Sequence, residues 1–586
     1  MKRFLTIFTL AFALLPLRAQ VATVEVSRPY DVNLDGIRKP AIPTAVDDSL
    51  QRFDVHFDYS IFNRPYGDLY DFTPYESIQL ATVGANRTPY VFLRAGAQYA
   101  PGEQGILPAG ELYVQSKPKN GFCSGLYARH NSFFGDLGRK VPDYNTLRTN
   151  RMQNAVGGDL TYDWSTGELM LDVQYDYDRY AHRLTEIIPA PGSVSSLPQD
   201  DSHAIQSIKG SVNLNSAQKE ANTVYYDVTF AYRDTRKNYS LTNPTVTFDE
   251  GELGEGLLTV RGYVGASFDI HRIYVDMNIE HVAYRGMRDF RAGVVEFSPF
   301  YQYNRRRLQA RLGVKFGSRY GQVGELPIGD LNLSPRSTIF PDFDIRYALI
   351  EKSLWAHAVV TGGNDLNTFS RMVDDCPIVH PASRMDFGRR PLDATVSLEG
   401  VFSGRLGVNL EGIFKITRNK MMFVPVYDGT HLPLMSTLYR DVNQYSFQGE
   451  VFWKSQDFTV GGRLRYAGYY DPDDKTDVTE MPNWTGNAYF RYNFRERIIA
   501  QIECTYRSET YGHMLVEPEK GTYVQDAGLL YEVPRILDID LNVNYLINNH
   551  FSVFAKVGNL LNQRNQYMPL YLEPGINFGG GLCINF

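Results

Sequence analysis

Leu308-Gln309-Ala310-Arg311-Leu312-Gly313-Val314-Lys315-Phe316 carries the fold of this chain in nine residues. Its even positions are apolar and its odd positions are polar, charged or glycine, which is the period of two of a strand whose faces meet different surroundings. The pattern returns where Phe458, Val460, Leu464 and Tyr466 oppose Thr459, Arg463 and Arg465. It returns again where Leu537, Ile539, Leu541, Val543 and Tyr545 oppose Asp538, Asp540, Asn542 and Asn544. Such runs reach about ten residues, longer than the five or six usual in a soluble sandwich. One face is oily and the other wet, as in a strand that crosses a bilayer around an aqueous lumen.

The links between runs point the same way. Short ones at 117–119, 165–167, 270–272, 305–307, 351–353, 403–404, 455–456, 495–496 and 547–549 alternate with long ones. Short turns on one side and long loops on the other predict an all-β, antiparallel outer-membrane barrel of about 22 strands over residues 89–586, with both termini in the periplasm. The last segment agrees: Phe578, Gly580, Leu582, Ile584 and Phe586 alternate with Asn577, Gly579, Gly581, Cys583 and Asn585. Aromatic clusters such as Tyr175, Tyr177 and Tyr180, or Tyr466, Tyr469 and Tyr470, are expected in interfacial girdles.

Composition removes the competitors. With 59 Lys and Arg against 66 Asp and Glu, net charge −7, no basic field exists for nucleic acid. The one long apolar run, Phe4 to Leu15, is too short to span a bilayer as a helix, and no other segment supplies the roughly 20 residues required. Lys2 and Arg3 before that run, and Leu17-Arg18-Ala19 after it, predict a signal peptide over 1–19. Residues 20–88, with Pro29, Pro40 and Pro43, read as an extended segment in the periplasm or lumen. The four cysteines have no metal-ligand spacing and do not frame the fold.

Val557-Gly558-Asn559-Leu560-Leu561-Asn562, followed by a loop and the last strand, resembles the element that precedes the final strand of TonB-dependent receptors. The resemblance implies a 22-stranded barrel, and a terminal Phe586 resembles the signal read by the outer-membrane assembly machinery. It also implies a plug of more than a hundred residues, whereas only some 70 separate the signal site from the first strand. The stretch 57–96, with Arg64-Pro65-Tyr66, resembles plug-less receptor-like barrels of Bacteroidota.

Candidate chemistry is sparse. Asp471, Asp473 and Asp477 alternate as calcium ligands do, but Lys475 takes a ligand place and no closing Gly or Glu follows, so a solvated acidic loop is expected. Asp374-Asp375-Cys376 with His380 has metal-capable atoms but no second ligand pair. Gly121-Phe122-Cys123-Ser124-Gly125 falls in a strand and is no nucleophile elbow. Charges on the wet face should turn inward, because charge near the bilayer midplane costs several kcal/mol. They are Asp172, Asp176 and Asp178; Asp276 and Glu280; Arg311 and Lys315; Arg463 and Arg465; and Asp538 and Asp540. Cross-strand pairing among them, bracing a wide lumen, is expected over a solute path.

The reading at this stage is a non-enzymatic receptor-like barrel without metal or cofactor. Its expected role is a scaffold or accessory subunit of an envelope assembly or export complex, its lumen occluded by its own N-terminal segment or a partner. Expected partners are outer-membrane lipid, the assembly machinery and another barrel or lipoprotein. The alternative is a transport channel, either a passive pore or a TonB-linked receptor for a bulky solute.

Overall fold

The computed structural model describes residues 91–586 apart from 138–143, 188–199, 217–223, 244–245, 269, 287–288, 306, 324–335, 381–382, 428–433, 456, 496, 520–521 and 570. The expected signal peptide (1–19) and extended segment (20–88) lie outside the described residues.

The barrel strands begin with β1 (Val91–Ala100), β2 (Gly105–Gln115), β3 (Phe122–Asp136), β4 (Tyr144–Trp164), β5 (Gly167–Ile187), β6 (Asp200–Asn215) and β7 (Val224–Asn243). They continue with β8 (Val246–Phe268), β9 (His271–Gly286), β10 (Phe290–Arg305), β11 (Leu308–Val323), β12 (Ser337–Ile350), β13 (Leu354–Leu366), β14 (Phe387–Phe402) and β15 (Leu406–Tyr427). The last are β16 (Leu434–Lys454), β17 (Phe458–Asp471), β18 (Trp484–Phe494), β19 (Ile498–Arg507), β20 (Ile536–Leu546), β21 (Phe551–Gly558) and β22 (Asn577–Asn585). Each pairs antiparallel with the next, and β22 pairs with β1 from Tyr99↔Phe578 to Phe92↔Asn585. Val91 and Phe586 exchange both backbone hydrogen bonds, at 3.1 and 2.9 Å. The result is a closed 22-stranded antiparallel barrel with no free edge, which is what hydrocarbon demands of a sheet.

Alternation is realised as sides of the wall. Leu312, Val314, Phe316, Leu464, Leu582 and Phe578 all stand exposed on the outer surface, while Arg311, between Leu312 and Ala310, turns the other way to meet Asp276 and Asp342.

Two expectations need correction. Links at the long-loop end are not uniformly long: 101–104, 244–245 and 287–289 are short there, and 216–223 lengthens the opposite end. At 244–245 the reason is that β7 and β8 run 20 and 23 residues, about twice what crosses a bilayer, and continue as a hairpin in place of a loop. Tyr180 and Tyr469 are not girdle residues. Tyr180 is 2% exposed and accepts a hydrogen bond from Gln153 Nε2 at 2.8 Å, and Tyr469 packs against the same interior core. Their parity with Asp178 and Ala467 turns them inward, and their height on the wall puts them where that core lies.

The seam is built from glycine. A Cβ on Gly581 would lie 2.1 Å from the Ala95 carbonyl oxygen and one on Gly579 2.0 Å from that of Ala97, so β1 approaches β22 more closely than any side chain permits. Gly581→Val is therefore expected to abolish the heat-modifiable folded band of the barrel in outer membranes. Gly412→Val, whose Cβ meets only the Phe447 ring at 3.8 Å, is expected to leave that band unchanged.

Candidate functional site

The feature that distinguishes this lumen is a helix inside it. Beyond β13, Thr368 caps α1 (Phe369–Asp375), its hydroxyl accepting from the Arg371 N–H at 3.4 Å. Phe369, Met372 and Val373 fall at i, i+3 and i+4 and are buried together. Extended Cys376 ends the helix, donating its N–H to the Met372 carbonyl at 2.7 Å.

The helix is held by strands that are not neighbours of β13 or β14 in the ring, so the loop carrying it crosses to the β7–β9 side of the barrel. At its N-terminus the fully buried carboxylate of Glu255 (β8) accepts from the N–H of Phe369 at 2.6 Å and from that of Ser370 at 3.2 Å. This satisfies two of the donors that a helix start leaves open. Arg371 binds Glu280 (β9) at 2.6 Å and the Leu366 carbonyl at 2.6 Å. Asp374 forms a two-point pair with Arg233 (β7), at 2.5 and 2.7 Å. Beyond the helix, the buried ammonium of Lys237 (β7) donates to the carbonyls of Pro377, at 3.0 Å, and Val379.

The loop then turns back to β16. Met435 accepts from the His380 N–H at 2.7 Å, and the Thr437 hydroxyl donates to the Arg384 carbonyl at 2.5 Å. A second inward loop, 559–576, meets the first. Arg151 (β4) grips Glu573 by two hydrogen bonds of 2.9 and 2.8 Å, both side chains being buried, and Met568 Sδ lies 3.6 Å from Cys376 Sγ. One apolar core joins the two loops to the walls: Tyr180 and Ile205, Leu253 and Val282, Phe369 and Met372, Met421 to Phe423, Met435 and Met568.

The residues that carried the resemblance hold this second loop. Asn559 and Asn562 adopt φ of +48° and +50°, conformations that asparagine tolerates better than most residues. Asn559 donates to the Gln563 and Pro574 carbonyls and accepts from the Gln563 N–H, while Asn562 accepts from the Ile576 N–H at 3.0 Å.

Two cavities flank α1, with Asp374 on the border of both. One, of about 530 Å³, is lined by Asp176, Asp178, Lys209 and Arg233 among others; the second, of about 830 Å³, is lined by Asp276, Glu280, Lys315 and Arg465 among others. Most of the charges singled out from the sequence are paired. Asp176 binds Lys209 at 2.7 Å and Arg463 binds Glu450 at 2.8 Å. Lys315 donates to the Gly362 carbonyl at 2.9 Å, and Asp172 accepts from Tyr127 at 3.1 Å. Asp540 accepts from the Asn559 N–H at 2.9 Å and stands 3.9 Å from Lys556, while the buried Oδ1 of neighbouring Asp538 has no hydrogen-bond partner.

The metal candidates do not converge. Asp471 is buried and its Oδ1 accepts from the N–H groups of Asp473 and Asp474 at 2.9 and 3.2 Å, closing a turn between β17 and the short pairing at Thr476–Asp477. Asp374 faces Arg233 while Cys376 faces Met568, so they diverge. Among the described residues no three His, Cys, Asp or Glu side chains gather as metal ligands. Cys123, also flagged in the sequence, accepts from Gln115 Nε2 at 3.0 Å near the start of β3. All four cysteines are free thiols.

Sequence reasoning missed the latch residues Arg233, Lys237, Glu255 and Arg371. Their partners lie over 80 residues away, so no local pattern pairs them. The helix itself carried a signal, a threonine cap before Phe369, Met372 and Val373.

No protein-family model and no curated protein matches the sequence. Solved structures do. The siderophore receptor PirA from Acinetobacter baumannii aligns over 86% of this chain and 81% of its own, with TM-score 0.60 and 10% identity. The ferric enterobactin receptor PfeA aligns over 86% and 82%, with TM-score 0.61 and 11% identity. The copper transporter OprC aligns over 86% and 82%, with TM-score 0.58 and 10% identity. At such identities the likeness is one of fold, and the fold is that of outer-membrane receptors.

Cys376 reports on the latch. It is wholly buried, and burial pushes its thiol well above the ordinary range, so it stays protonated and unreactive. With Cys123, Cys504 and Cys583 replaced by Ser, maleimide is expected to leave Cys376 unlabelled in the native barrel. Lys237→Met strands two carbonyls, at about 1–3 kcal/mol each, and is expected to raise the labelling rate at least about tenfold.

Proposed function

We propose that this protein is a non-enzymatic outer-membrane transporter whose lumen is gated by its own β13–β14 loop. The observation that carries the reading is α1, latched by Glu255, Glu280, Arg233 and Lys237 inside the ring and bordered on both sides by a cavity. A scaffold needs only a rigid occluded wall. An internal segment that begins and ends on one side of the ring, crosses it and is fastened by a handful of polar contacts has the form of a gate, because those contacts can be exchanged for water when the loop withdraws.

This reading also removes the reason for the scaffold. That reading arose from a wide lumen with no complete plug, which had to be closed by the N-terminal segment or by a partner. The chain's own loops occupy the lumen, and the likeness to siderophore receptors and a copper transporter supports transport. The short turns are assigned to the periplasm, where both barrel ends emerge together at Val91 and Phe586.

Replacing residues 367–386 by a short Gly/Ser linker in the full chain is expected to raise single-channel conductance in planar bilayers several-fold, with the folded band retained. An unchanged conductance would return the protein to the scaffold reading. For orientation, an impermeant thiol reagent on intact cells is expected to label Thr476→Cys but neither Ser403→Cys nor Ser455→Cys. Labelling in the reverse pattern would invert the assignment.

A further inference from the structure

The larger cavity has a charge imbalance that the gate does not use. Three cations on one wall line it: Arg390 (β14), Lys415 (β15) and Arg465 (β17). Two carboxylates answer them. Asp365 takes Arg390 in a fork of 3.0 and 2.9 Å, and Asp393 lies 3.1 Å from Lys415 and 3.6 Å from Arg390. Lys420 lies 5.3 Å over the Tyr469 ring. Arg465 forms no hydrogen bond or ion pair among the described residues, and its Nε is buried without a partner. On β16 Gln444, 5% exposed and opposite Tyr469, lines the same cavity with its Nε2 buried and unpartnered.

Of the carboxylates across the cavity, four are engaged by the latch and the barrel. Glu280 is shared by Arg371 and Arg261, Asp374 is taken by Arg233, and Glu296 accepts from the Asn364 backbone and side chain at 2.7 and 3.0 Å. Asp276 faces Arg311 at 3.4 Å.

The backbone is bent to build the wall. Three consecutive strand pairings break register at one height, because β14 carries one extra residue between Arg389 and Asp393 and β15 another between Thr417 and Lys420, where Asn419 adopts φ of +55°. Below the last bulge Leu410 and Phe414, even positions, face outward. Unbroken alternation would send Lys420 out with them; the extra residue turns it in.

We propose that this wall is a binding subsite for a solute carrying two or more carboxylate or phosphate groups. Arg465 supplies a free guanidinium fork suited to an oxyanion, Lys415 supplies a second charge on the same wall, and Gln444 supplies a neutral donor. Met421, Met481 and Tyr469 form an apolar floor for the carbon skeleton, and about 830 Å³ is within the range of small-molecule sites. The subsite deepens the transport reading in one respect, since a solute reaches it through the lumen, but occupancy does not depend on passage.

Binding is therefore measured directly. With the full chain purified in detergent at constant ionic strength, citrate and inorganic pyrophosphate are titrated by calorimetry, with maltotriose as a neutral probe. Saturable binding of citrate, pyrophosphate or both is expected, and none of maltotriose; citrate alone assigns carboxylates, pyrophosphate alone phosphates. Arg465→Gln is expected to weaken binding about tenfold or more while raising the thermal midpoint of the unliganded barrel, because it relieves repulsion. A merely structural arginine would lower that midpoint. Arg465→Lys is expected to be intermediate, and Arg346→Gln, whose partner Glu399 lies outside the cavity, to bind as the parent does. No saturable binding by the parent, or an affinity untouched in Arg465→Gln, would overturn the subsite. If loop replacement still opens the channel in that case, the transport reading stands and the subsite alone falls.

Discussion

Hydrocarbon leaves no backbone group unpaired, and every feature of this protein follows from how the chain meets that constraint. A sheet can meet it only by closing on itself, and the closure rests on β1 against β22, where glycines let the two strands come together. Once 22 strands are closed, the interior is far wider than side chains alone can fill. The wall then has two problems of opposite kind: an outer belt that must be apolar and an inner surface with room for water. Alternation solves the first. The second is solved by sending loops back inside.

The loops succeed because the inner wall sets apolar and charged side chains next to one another at one height. Toward the long-loop end, Leu253, Val282, Tyr284 and Met435 turn inward and receive Phe369, Met372 and Met568. At that height, the charged positions Arg233, Lys237, Glu255 and Glu280 take up the backbone ends and side chains of the loop. Burying Lys237 and Glu255 without partners would be prohibitive; burying them against carbonyls and helix N–H groups converts the cost into positional specificity. Methionine suits such a junction, since its flexible side chain fills irregular gaps between surfaces that meet edge to edge.

The wall was legible in the sequence, and what stands inside it was not. Alternation over Leu308–Phe316 names both faces of β11 because the environment changes with a period of two and nothing distant disturbs it. The same logic failed at Tyr180 and Tyr469, where parity was sound but height was unknown: an aromatic at a strand end belongs to a lipid girdle only if it points out. Asp374-Asp375-Cys376 drew attention as possible ligands because composition cannot show direction; in the fold a salt bridge takes one and an apolar core another. The spacing of Asp471, Asp473 and Asp477 reads alike whether carboxylates face a cation or their own chain, and in the fold the first accepts from the backbone of its own turn. The motif around Asn559 and Asn562 was recognisable by resemblance, and its physical content is a pair of left-handed asparagines that fasten a loop.

Charge balance links the gate to the solute path. Expecting the inner charges to brace one another was reasonable, and across most of the wall they do: Arg311 with Asp342, Arg463 with Glu450, Lys209 with Asp176. A fully braced lumen, however, would leave a solute nothing to exchange for its hydration. In the larger cavity the balance is broken locally, because the acids nearest α1 are committed to holding it and the cations on β14, β15 and β17 outnumber the two carboxylates beside them. The fastening of the loop and the vacancy opposite it are thus one arrangement: each acid spent on α1 is one withheld from the facing wall. A solute that supplies the missing negative charge would bind beside the gate and lie within reach of the contacts that keep it shut.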